Sequence, residues 1–160
     1  MDDVSEIAPR GSKELYAALN SLPLKFCNAV VEFMPMGQRV LGFVHWPAVL
    51  GRKLKIFRHE LSPEAVLVLT ERELLFISEE KTWPWIRPDR VQKYGSIVTH
   101  CPLSRVDAFQ LSEHDLLETI DIVVRTDHGG EKLKIDFPRE QKAEVSAFME
   151  LAIKRRTAYI

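Results

Sequence analysis

The order of apolar and polar positions divides the chain into three regimes. Residues 1–11 are polar and contain Pro9 and Gly11, which reads as a flexible tail. Ser12 opens a helical pattern in which Leu15, Ala18 and Leu19 recur at helical spacing, and Pro23 interrupts it. Leu24 to Phe33 then places Leu24, Cys27, Val30 and Val31 on one face of a second short helix, ended by Pro35 and Gly37. Residues 12–35 are therefore expected to be an N-terminal helical extension.

From residue 36 the period changes to that of strands. Val40 to Trp46 is apolar and β-prone, and Pro47 closes it. The strongest local signal follows at 65–78. Ala65-Val66-Leu67-Val68-Leu69-Thr70 and Leu74-Leu75-Phe76-Ile77-Ser78 are apolar runs with only Glu71-Arg72-Glu73 between them, which predicts a tight antiparallel hairpin. Four more strands are expected, at about Tyr94–Cys101, Ser104–Leu111, Leu117–Thr126 and Lys132–Phe137. In the last of these Leu133, Ile135 and Phe137 alternate with Lys132, Lys134 and Asp136, the pattern of a strand buried on one side. His128-Gly129-Gly130 supplies the turn before it. Beyond Pro138 a helical stripe of Val145, Phe148, Leu151 and Ala152 predicts a terminal helix lying on the sheet, with Lys154, Arg155 and Arg156 near its end, where cations suit the helix dipole.

Seven short strands, each with one polar face, need their apolar faces covered. Closing the meander into a roll and plugging an open end with the final helix does this. The stretch 52–60 fits an extra strand, a bulge or a loop equally well. Whether the N-terminal helices lie against the roll is open at this stage.

Val66-Leu67-Val68-Leu69-Thr70 with Leu74-Leu75-Phe76-Ile77-Ser78 resembles a hairpin common in bacterial pleckstrin-homology-like (PH-like) and GRAM-like domains. Tyr94-Gly95-Ser96-Ile97-Val98, followed by Pro102-Leu103-Ser104-Arg105-Val106, resembles the strand-turn-strand after it, and Met36-Gly37-Gln38-Arg39-Val40-Leu41 resembles the entry to the first strand. That family often has an acidic residue in the entry stretch, where this chain has Gln38. The resemblance covers roughly 36–156. It leaves the N-terminal helices outside, and 52–60 departs from it. It implies an α+β, mainly β fold, a PH-like roll over 36–160, and a non-catalytic binding or assembly role.

Composition adds limits. The net charge is −1, so attraction of the whole molecule to nucleic acid is not expected. The acidic N-terminus lacks a secretory core and no run reaches the length of a membrane span, so a cytoplasmic protein, at most peripheral at the inner membrane face, is expected. Cys27 and Cys101 form no CxxC pair and read as free apolar thiols. The five histidines show no metal-ligand spacing, and no phosphate loop or dinucleotide motif occurs, so neither metal nor cofactor is expected. His100 and Cys101 are adjacent on a strand and face opposite sides, the wrong geometry for a base and its nucleophile. His45, in an apolar strand, reads as a hydrogen-bonded core or rim histidine.

Charge is polarised along the chain. The segments 47–60 and 80–93 together carry +5, leaving −6 for the rest. In PH-like rolls the first, third and sixth connections gather at one open end, and here these are about 47–60, 80–93 and 127–131. The candidate ligand-binding residues are Arg52, Lys53, Lys55, Arg87, Arg90 and Lys93, with Trp83 and Trp85 beside them. Tryptophan among cations suits a membrane interface, a protein partner or a stacked base. The competing reading folds both rings back onto the roll and leaves the charges solvated. Two partner classes follow: a protein partner or a second copy of the chain, and an anionic membrane surface.

Overall fold

The computed structural model describes residues 13–53, 57–80, 96–114 and 116–158. Two helices come first, α1 (Lys13–Ala18) and α2 (Leu24–Phe33). Nine strands follow among the described residues: β1 (Val40–Trp46), β2 (Val49–Lys53), β3 (Phe57–Ser62), β4 (Ala65–Thr70), β5 (Glu73–Glu79), β6 (Ser96–Pro102), β7 (Val106–Glu113), β8 (Leu117–Thr126) and β9 (Gly129–Pro138). Helix α3 (Lys142–Thr157) ends the order. The protein is thus α+β and mainly β, with every pairing antiparallel.

The strands form three sheets, β1-β4-β5-β6, β2-β3 and β7-β8-β9. The count of seven strands is corrected by the hairpin β2–β3, which pairs Gly51 with His59 and Arg52 with Arg58. Charged residues at its centre hide the apolar alternation that marks strands elsewhere, and its backbone groups are satisfied by pairing with each other.

A second correction concerns the expectation of one polar face per strand. All six residues of β4 are buried, because the first sheet lies between two apolar layers. Leu67, Leu69 and Leu74 face a core shared with Trp46, Ile120 and Phe137. Val66, Val68, Leu75 and Ile77 face a second core made by Leu15, Leu19, Phe26, Val30 and Met34. Both N-terminal helices therefore pack onto the sheet. Helix α2 does so through Phe26, Cys27, Ala29 and Val30, while Leu24, expected on that face, is 75 % exposed.

Gln38, in the entry to β1, has a structural task. Its side-chain oxygen accepts from Thr70 Oγ1 at 2.6 Å and from the Arg72 amide at 3.2 Å. Arg39 binds Glu71 beside it at 3.0 Å. The β4–β5 turn is thereby tied to the start of β1.

Helix α3 lies between β1 and β7. Val145, Phe148, Met149 and Ala152 point into the first core, and Leu151 of the expected stripe is part-buried against it. Leu151 turns to β1, where a Cβ on Gly42 would lie 3.3 Å from its Cδ2. On the other flank Lys142 pairs with Glu113 and with Glu118 at 3.3 Å, and Arg156 donates to the carbonyls of Val106 at 3.1 Å and Asp107 at 2.5 Å. The helix is held to β7 at both ends.

Candidate functional site

The base of the two basic segments is built by strand register. Trp46 pairs with Ala65, Ala65 with Ser78, and Glu79 with Ser96. The chain between β1 and β4 and the chain between β5 and β6 therefore leave the first sheet at the same end. Of the eight candidate ligand-binding residues, Arg52 and Lys53 lie in β2 by their backbone. Their side chains, and Lys55, Trp83, Trp85, Arg87, Arg90 and Lys93, lie outside the described residues, as does the 1–11 tail. The sixth connection, at Asp127–His128, has at its base Arg125, which pairs with Asp107 of β7 at 3.0 Å. Gly129 closes that turn at φ 124°, a conformation that favours glycine.

A charged cluster sits at the base of the two segments. Lys25 of α2 pairs with Glu64 and Glu79, and His45 Nε2 lies 2.9 Å from Glu64 Oε1. The Phe26 ring is 5.5 Å from the His45 ring, and the Lys25 ammonium stands 5.0 Å over Phe26. Partial burial alone would lower the Lys25 pKa. Hydrogen bonds to the two carboxylates outweigh it and raise the pKa above the usual lysine value. His45 is thus a hydrogen-bonded rim histidine, as its strand context suggested. The two glutamates were missed because their partner lies 39 and 54 residues away in sequence.

Beside this cluster, Ser62, Pro63, Phe76, Ser78, Ile97 and Asp136 line a cleft of ≈ 190 Å³ between the first sheet and β9. Ser62 Oγ donates to the Asp136 carbonyl at 2.9 Å across it. That volume is below the roughly 300 Å³ at which small-molecule pockets begin. A second depression of ≈ 360 Å³ lies on the outer face of β8 and β9, lined by Ser112, His114, Thr119, Asp121, Lys134 and Asp136. Thr119 Oγ1 donates to Asp136 Oδ1 there at 2.7 Å.

His100 and Cys101 do face opposite sides. His100 Nδ1 lies 3.2 Å from Glu73 at the surface, while Cys101 is 3 % exposed in the core. Burial, then the Glu73 charge, pushes the Cys101 thiol up to about 11, and burial also raises that of Cys27. Both cysteines are free. The pair supplies no thiolate near neutral pH.

The remaining chemistry is that of strand edges. The Asp136 carbonyl meets Ser62, so it points away from β8. Alternation then turns the backbone groups of Thr119 and Asp121 toward β7, and those of Phe109 and Leu111 away from β8, at the free edge of the sheet. In the first sheet, the Glu79 amide donates to Glu64 on the β4 side at 3.0 Å. The same alternation sends the backbone groups of Val98 and His100 outward from β6. Among the described residues no helix is long and apolar enough to cross a membrane.

No protein-family model matches the chain, and no curated protein matches it.

Proposed function

We propose that this chain is a non-catalytic PH-like module that makes protein contacts, with a partner protein or with a second copy of itself. The order of a four-stranded sheet, a three-stranded sheet and a terminal helix supports the PH-like roll, with β2–β3 inserted in its first connection. The observation that carries the binding role is the set of outward backbone donors and acceptors on β6 and β7. An open strand edge is a template for pairing with another chain. Phe26, Cys27 and Val30 of α2 are spent on the protein's own core and are not offered to a partner.

Size-exclusion chromatography with light scattering, together with pull-down, tests this role. Self-association, or a partner lost when proline is placed on an edge strand, is the expected result. A strict monomer that recovers no partner counts against it.

A second reading is favoured by the shared base of the segments 47–64 and 80–95. It is peripheral binding to an anionic membrane through Arg52, Lys53, Lys55, Arg87, Arg90 and Lys93 with Trp83 and Trp85. Each well-placed cation would add about 1 kcal/mol of attraction. Sedimentation with acidic-lipid vesicles should then fall with salt and with Lys53→Glu/Lys55→Glu. Equal binding to neutral vesicles would remove this reading.

A further inference from the structure

The two larger sheets end in the strands β1, β6, β7 and β9. Three of these edges are guarded. Helix α3 lies along β1, with Leu151 beside Gly42. Strand β7 is broken by the bulge at Asp107, and antiparallel pairing of two copies about Gln110 would set Asp107 against Glu113. On β9 the Asp136 carbonyl is taken by Ser62, and Glu131, Lys132 and Lys134 put charge along the strand. Cover, bulges and charge are the devices that keep a strand edge from pairing with another chain.

Among the described residues β6 has none of them. It pairs with β5 from Ser96 to Pro102 without a bulge. It carries no Asp, Glu, Lys or Arg, and its centre is the β-branched run Ile97-Val98-Thr99. Its histidine, His100, is held by its own Glu73 at 3.2 Å. Ile97 is 53 % exposed at the rim of the sheet, on the face whose next residues lead to the buried Cys101. Val98 faces the other way and is part-buried against the second core.

The strand also selects its own register. The backbone groups of Ser96, Val98 and His100 point away from β5. Antiparallel pairing of β6 with itself about Val98 sets Val98 against Val98 and Ser96 against His100, so every outward amide and carbonyl of the three residues meets its complement. About Thr99 instead, Ser96 would face Pro102, which has no N–H to give. About Ile97, His100 would pass the start of the facing strand. In the Val98 register Ile97 opposes Thr99, the two Ile97 side chains meet diagonally across the axis, and no like charges face each other. A closed two-fold contact of this kind uses one surface twice.

We infer that β6 pairs with β6 of a second copy of this chain about a two-fold axis at Val98, joining two four-stranded sheets into one. This rests on the protein-contact reading and names the partner and the register within it. The test is sedimentation velocity of the full chain over a concentration series, with cross-linking of cysteine variants. A monomer–dimer equilibrium is expected. Ile97→Lys alters an exposed side chain and no bond to β5, so the fold should survive while the dimer weakens about tenfold or more.

Val98→Cys should link to itself when an oxidant is added, because a hydrogen-bonded pair sets its Cα atoms about 5.5 Å apart, within reach of a disulfide. Ser96→Cys should not, since its counterpart lies four residues along the facing strand, roughly 13 Å away. Cys27 and Cys101 are buried and do not compete. If Val98→Cys fails to fold, Ser96→Cys mixed with His100→Cys, both at exposed positions, reads the same register by linking to each other. A dimer indifferent to Ile97→Lys, or one linked through Ser96→Cys alone, overturns the β6 pairing and leaves the protein-contact reading standing through another surface. A strict monomer that recovers a partner by pull-down does the same. A strict monomer with no partner loses both.

Discussion

Replacing Phe26 by alanine tests whether the N-terminal helices are part of the folded unit or an appendage to it. Phe26 is fully buried in the second core, against the back of the first sheet. Truncating a buried phenylalanine costs about 3–5 kcal/mol, since the removed ring leaves a cavity that relaxes only in part. A domain of this size holds about 5–15 kcal/mol in total, so the loss should lower the melting temperature by roughly 6–20 °C. Removing both helices is a larger perturbation. It would bare Val66, Val68, Leu75 and Ile77, all fully buried. At about 1.5–3 kcal/mol each, that is roughly 6–12 kcal/mol, comparable to the whole stability. The assay is urea unfolding followed by far-ultraviolet circular dichroism and by tryptophan fluorescence, whose transitions coincide in a single cooperative unit. With Phe26→Ala both should shift together to lower urea. A variant in which the helical signal melts early while the fluorescence transition stays put would refute the two-core reasoning. So would a loss below about 1 kcal/mol.

Four further outcomes follow from other sites. Lys142→Met should lower the urea midpoint, because Glu118, 1 % exposed, then keeps only Arg139 at 3.7 Å among the described residues; adding Glu118→Met should recover most of the loss, and an unaffected single variant would dismiss the pair. The hydrogen bond from Lys142 lowers the Glu113 pKa from 4.5, so its contribution exists above that pH and is lost as pH falls through the depressed value; the acid limb of the stability curve should flatten in Lys142→Met. Cys101, raised from 9.0 to about 11, should resist alkylation at pH 8 until the protein unfolds, and its neutral form should make stability decline as pH rises from about 9 to about 11, a decline absent in Cys101→Ala. Gln38→Ala should cost about 1 kcal/mol and speed hydrogen exchange at the Arg72 amide, which loses its acceptor; unchanged exchange there would refute the tie.

How much of this was legible in the chain depends on how far apart the cooperating residues lie. The β4–β5 hairpin was visible because two apolar runs flank a short polar turn, and both Leu24–Phe33 and Leu117–Thr126 match their observed bounds. The alternation of Leu133, Ile135 and Phe137 placed the buried face of β9 correctly. Faces were harder. Nothing local says that β4 must be covered on both sides, since that depends on helices about forty residues earlier. Leu24 was assigned to the buried face for the same reason. The hairpin β2–β3 was hidden by Arg52, Lys53 and Arg58, which suit a solvated loop as well as a strand. Among site features, the end shared by the 47–64 and 80–95 segments follows from a meander, whereas Arg156 looked only like a cation suited to a helix dipole. Its task at the Asp107 bulge requires the second sheet to be in place.

The position of α3 explains why one of its flanks is closed and the other is not. A helix laid between two strand edges can approach only one of them closely, because each side chain it carries sets a minimum separation. On the β1 side that separation is small. Gly42 has no Cβ, and one placed there would lie 3.3 Å from Leu151 Cδ2. On the β7 side the contact is made by long cationic side chains at the two ends, reaching a carboxylate and two carbonyls. Lysine and arginine hold at a distance, so the middle of the seam is spanned without being filled. Leu111 and Ile153 are left part-exposed there although each lies on an element otherwise committed to the core. The part-exposure of Leu111 and Ile153 is therefore the counterpart of the close approach that Gly42 permits on the β1 side.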